Sequence, residues 1–76
     1  MELTAGQCRA ARGLIGWSQQ QLATASKVAK PTIANFEAGK SKPYERTAND
    51  LIAALEAAGV EFTNGDQPGV RMRKAK

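Results

Sequence analysis

The sequence predicts an all-α domain: a compact bundle of four helices followed by a short C-terminal β-strand or hairpin. Three observations carry that expectation. Helix-start signals recur at Thr4, Ser18 and Pro31. The apolar residues that follow them repeat at helical rather than alternating spacing. Glycines stand just past the ends of the apolar stripes, at Gly16, Gly39 and Gly59, where helices commonly stop. With 76 residues the chain can build one core, at a size where burial alone only just sustains folding.

Thr4 and Gln7 fit a capping box, with the hydroxyl accepting from an amide three residues on and the amide side chain reaching back; Leu3 and Cys8 suit the accompanying hydrophobic staple. Cys8, Ala11, Leu14 and Ile15 then form a helical stripe, with Arg9 and Arg12 largely off it and Gly16 as the stop. Ser18 and Gln21 repeat the box, and Trp17 with Leu22 repeats the staple, which places a second helix over residues 19–25. Pro31 belongs in the first turn of the next helix, where its missing N–H costs nothing. That helix starts at Lys30 or Pro31 and turns Ile33, Phe36 and Ala29 inward. Gly39 is its left-handed C-cap, and residues 40–43 form a polar, basic loop. Residues 18–38 thus read as two short capped helices joined by a tight turn, the shape of a helix-turn-helix.

A fourth helix starts between Glu45 and Thr47 and reaches Ala58, burying Ala48, Leu51, Ile52, Leu55 and Ala58. The expected core also holds Trp17, Leu22, Val28, Ile33 and Phe36. Residues 60–63 and 70–73 alternate apolar with polar side chains around a Gly- and Pro-containing loop, a hairpin pattern whose alternative is a frayed tail. Residues 1–62 are read as the folded domain and 63–76 as a C-terminal tail, with a strand available for dimerisation.

Eleven Lys and Arg against seven Asp and Glu give a net charge of +4, which suits a polyanionic partner. The charge is unevenly spread: seven bases and two acids fall in residues 9–46, whereas residues 47–66 carry four acids and no base. Histidine is absent and cysteine occurs once. No metal site or Cys/His nucleophile pair can be assembled, no internal disulfide can form, and a reducing compartment fits. Paired catalytic acids and a Gly-rich phosphate loop are also missing, so an enzyme is not expected, nor a cofactor or small-molecule ligand. No apolar run approaches roughly 18 residues, so no membrane span is expected, and the chain is read as cytoplasmic and nucleoid-associated.

Gly16-Trp-Ser-Gln-Gln-Gln-Leu-Ala23, Thr32-Ile-Ala-Asn-Phe-Glu-Ala-Gly-Lys40 and Leu55-Glu-Ala-Ala-Gly-Val60 together resemble the lambda-repressor-like helix-turn-helix domains of the Cro/XRE family, over residues 4–62. The resemblance implies a four- or five-helix bundle that regulates transcription by binding operator DNA as a dimer. It also implies an ion pair between Arg12 and Glu37 joining the first helix to the third, against the alternative of Arg12 on a phosphate. Two positions depart from the family's pattern. Lys27 stands where Gly is usual in the turn, and Ala29 where the third helix commonly has a Ser N-cap.

The first turn of a recognition helix is the part that reaches base edges in the major groove. Lys30 can donate to guanine O6 or N7, Pro31 and Thr32 can touch a thymine methyl, and Asn35, about one turn on, can pair with adenine N6 and N7. Gln19 opens the second helix, where free amides and the dipole favour a phosphate; by resemblance it also braces the recognition helix. Lys40, Ser41 and Lys42, by resemblance, lie along the DNA backbone, with Arg46 and Lys27 in the same role. The expected function is a sequence-specific regulator of double-stranded DNA, a repressor acting as a homodimer on an inverted repeat. The alternative is a small protein-interaction module, antitoxin-like or phage-borne, that keeps the fold.

Overall fold

Both capping boxes are complete in the computed structural model, which describes residues 2–63 and 67–73. Thr4 Oγ1 accepts from the Gln7 amide while Gln7 Oε1 accepts from the Thr4 amide, each at 3.0 Å. Ser18 and Gln21 do the same at 3.0 and 2.8 Å. These boxes start α1 (Ala5–Ile15) and α2 (Gln19–Ser26), followed by α3 (Lys30–Glu37), α4 (Glu45–Ala57), β1 (Val60–Thr63) and β2 (Gly69–Met72). No fifth helix occurs among the described residues.

The turn between α2 and α3 accommodates both departures from the family pattern. Lys27 takes a left-handed conformation at φ 62° and ψ 28°, which costs an L-residue roughly 1–2 kcal/mol. The buried Ser26 hydroxyl holds this corner by donating to the Leu22 carbonyl at 2.7 Å and accepting from the Val28 amide at 3.2 Å. Ala29 makes no side-chain cap, yet little is left uncapped. Pro31 has no N–H, and the Thr32 and Ile33 amides both reach the Ala29 carbonyl, at 3.0 and 3.2 Å.

Cys8, Leu22, Ile33, Leu51, Leu55 and Val60 are fully buried, with Ala11, Leu3 and Phe36 beside them. Trp17 and Ile52, expected in the core, are half-buried and pack against it. Leu14 is 44% exposed and Ala29 is exposed, both contrary to expectation. Periodicity assigns a face, but burial also needs a neighbour long enough to cover it. Leu14 lies in the last turn of α1, and Ala29 stands outside α3 altogether.

The C-terminal segments form an antiparallel pair with Val60 opposite Met72 and Phe62 opposite Val70. The second strand begins one residue earlier than the alternation indicates. Gln7 ties this hairpin to α1: its Nε2 donates to the carbonyls of Thr63 at 3.1 Å and Gly69 at 3.2 Å, while its Oε1 serves the capping box. A two-stranded ribbon is marginal alone; here it gains the buried Val60 and this polar latch. Residues 64–66, part of the expected hairpin loop, and residues 74–76 lie outside the described residues.

Candidate nucleic-acid interface

α3 divides cleanly by exposure. Ile33, Phe36 and Glu37 are buried, whereas Lys30, Pro31, Thr32 and Asn35 are exposed and Ala34 is intermediate. The four expected base-contacting residues therefore share the solvent side of one short helix. None of the side chains of Lys30, Thr32 and Asn35 is engaged in a hydrogen bond or ion pair among the described residues. Their donors and acceptors are free for a partner.

The opposite end of α3 is held tightly. The Glu37 side chain is 3% exposed and takes a two-pronged ion pair from Arg12, Nη2 to Oε1 at 2.6 Å and Nε to Oε2 at 2.8 Å. Gln19 Nε2 adds a bond to Oε1 at 3.0 Å, and the Cys8 thiol donates to Oε2 at 3.1 Å. Arg12 spends its remaining Nη1 on the Trp17 carbonyl at 2.9 Å. Burial opposes ionisation of Glu37, but the bonds from Arg12, then Gln19 and Cys8, outweigh it and hold the carboxyl below its ordinary value. The same bond raises the Arg12 guanidinium. Burial, reinforced by the bond to Glu37, pushes the Cys8 thiol up, which keeps it a protonated donor.

Arg12 is thus the structural partner that the resemblance implied, and Gln19 carries the bracing role: its amide joins the start of α2 to the end of α3. Among the expected backbone contacts, Lys27 is exposed at the α2 C-cap, and Lys40, Ser41, Lys42 and Arg46 are exposed around the start of α4. Lys42 pairs with Glu2 at 2.8 Å, both side chains being open to solvent, a contact that gives way readily. Arg71 and Arg73 pair with Glu61 at 2.8 and 3.9 Å. Lys27, Lys30, Lys40 and Arg46 make no ion pair among the described residues. The uncompensated positive charge consequently gathers at the two ends of α3 and the start of α4.

Sequence reasoning missed three participants. Gln7 was read only as a cap, Cys8 only as a staple and apolar-stripe residue, and Arg9 had no role, although it donates through Nη1 to the main-chain carbonyl of Glu37. The signal available for Arg9 was its separation of three from Arg12, which puts both on one side of α1. Among the described residues no group of three or more His, Cys, Asp or Glu side chains could hold a metal ion, and no helix is long and apolar enough to cross a membrane.

A sequence model of the helix-turn-helix family of the Cro/C1 type matches residues 9–62, from the first turns of α1 into β1. Among curated proteins no match to the chain was found.

Proposed function

The chain belongs to the Cro/C1-type helix-turn-helix family of DNA-binding regulators, and we propose that it is a sequence-specific repressor that reads the major groove with α3 as a homodimer on an inverted repeat. The observation that carries this reading is the free, solvent-facing group of Lys30, Pro31, Thr32 and Asn35 on a helix whose other end is anchored. Lys30 donates to guanine, Asn35 donates to adenine N7 and accepts from its N6 amino group, and Pro31 and Thr32 meet a thymine methyl. Lys27, Lys40, Ser41, Lys42 and Arg46 contact phosphates and fix the register without specifying sequence. Gln19 adds its main-chain amide at the N-terminus of α2.

One such helix offers few base contacts, and non-specific binding is weak at physiological salt, so useful specificity calls for two half-sites, roughly 34 Å apart. The hairpin is the segment we assign to the dimer contact, because its strands leave backbone groups unpaired on their outer edges. A regulator of this kind works in the cytoplasm at the nucleoid, without chemistry or cofactor.

The test is selection from a random duplex library at near-physiological salt, with wild type beside a Lys30→Ala/Asn35→Ala variant. Enrichment of an inverted repeat by wild type, lost in the variant, is the expected result; each lost base contact should cost about 1–3 kcal/mol of discrimination. A single enriched half-site, with a monomer in sedimentation at high micromolar concentration, would remove the dimer. No enrichment at all would leave the protein-interaction reading in its place.

A further inference from the structure

An α-helix ends with four carbonyls that its own ladder cannot satisfy, and following these four in α3 singles out one residue. The Ala34 carbonyl accepts from the Ala38 amide at 3.0 Å, that of Asn35 from Lys40 at 2.9 Å, and that of Phe36 from Gly39 at 3.0 Å. Gly39 at φ 78° makes this closure possible, in the manner of a Schellman motif. Only the Glu37 carbonyl is left over by the chain's own turn, and the guanidinium of Arg9 fills it from α1. α3 also has no basic residue in its last turn, so its negative dipole end depends on a cation from elsewhere. Arg12 grips the Glu37 side chain and Arg9 grips the Glu37 backbone.

We propose that Arg9 is a positioning residue for DNA reading: it caps the C-terminus of α3 in trans and fixes how the N-terminal turn of that helix is presented to the groove. This rests on α3 being the recognition helix, and it assigns Arg9 a task other than phosphate contact. The side chain is exposed overall, but its donor is committed to the helix end. Lysine offers a compact ammonium with three rotatable donors on a single nitrogen in place of a planar fork, at the end of a flexible stem, so it replaces the cap only in part.

Arg9→Met and Arg9→Lys would be compared with wild type on the selected duplex and a scrambled one, across a salt series well below the melting temperature. The expected result for Arg9→Met is a loss of roughly three- to tenfold in affinity for the selected duplex. Binding to the scrambled duplex and the slope of log affinity against log salt should hardly move, and Arg9→Lys should recover part of the loss. Amide hydrogen exchange of the free protein should quicken in the last turn of α3 and not in α4. A slope reduced by about one unit, with both duplexes weakened alike, would make Arg9 a phosphate contact and overturn the inference. Unchanged exchange at the end of α3 would overturn it as well, and so would faster exchange with an unchanged ratio between duplexes. If wild type selects no duplex, the functional reading fails, while exchange still judges the cap itself.

Discussion

The two ends of α3 are built on opposite terms. At its C-terminus both Glu37 carboxylate oxygens receive two donors each, from Arg12, Gln19 and Cys8, and the backbone closes through Gly39, Lys40 and Arg9. At its N-terminus there is no side-chain cap, and the side chains of Lys30 and Thr32 there, and of Asn35 further along the exposed side, are unengaged among the described residues. The contrast separates the end that is held from the end proposed to read DNA. A helix eight residues long has little stability of its own, so anchoring one end to α1 and α2 fixes its orientation while leaving the other end's polar groups for a ligand.

The strongest way to break that contrast is Arg12→Met, which leaves the buried Glu37 carboxylate without its cation. We expect a loss of about 3 kcal/mol, the lower end of the range for a stranded buried charge because Arg12 is itself partly solvated. Urea unfolding followed by circular dichroism reads it, and a loss below about 1 kcal/mol would show the anchor to be ornamental. Acid should act on the same group more gradually. Glu37's carboxyl is held below its ordinary value in the folded chain, so its contribution is fully present above the unfolded value, about 4.3, and disappears as pH falls through the lower folded value. The urea midpoint should stay level from neutrality to about pH 5 on this group's account and fall below about pH 4. Arg12→Met should blunt that fall.

At the open end the expected effects on stability are small. Ala29→Ser restores the cap residue common in the family, a change typically worth about 1 kcal/mol. Here Pro31 has no amide to cap and Thr32 and Ile33 already bond to the Ala29 carbonyl, so the gain should stay under about 0.5 kcal/mol. A full 1 kcal/mol would mean that this end is not already satisfied. Smallest of all should be the effect of Lys30→Ala/Asn35→Ala on unfolding, within about 0.5 kcal/mol, even though the same variant is expected to abolish selective binding.

The helices were legible because their signals are local. Thr4 with Gln7 and Ser18 with Gln21 need only three-residue reach, Pro31 constrains its own φ, and the stripes of α3 and α4 turn on helical spacing alone. The residues proposed to read bases followed, since placing α3 in a helix-turn-helix puts Lys30, Pro31 and Thr32 at its exposed start and Asn35 on the exposed side about one turn on. Burial was less legible. Leu14 and Ile52 keep the periodicity of core residues yet remain partly exposed, because how far each face is covered depends on the neighbouring elements.

What the sequence determined by itself, then, was the order and caps of the helices, the one-core size, the placing of positive charge and the polar side chains that α3 exposes. What only the tertiary structure decided was how distant side chains are shared out. Gln7 serves both the α1 cap and the hairpin carbonyls more than fifty residues away. Cys8 becomes a donor to Glu37, Gln19 a brace between two helices, and Arg9 the cap of a helix to which it does not belong. The physical reason is one of range. Backbone propensity and capping act within a turn of chain, whereas a buried carboxylate or an orphaned carbonyl must be satisfied by whatever donor the packed helices bring within hydrogen-bond distance.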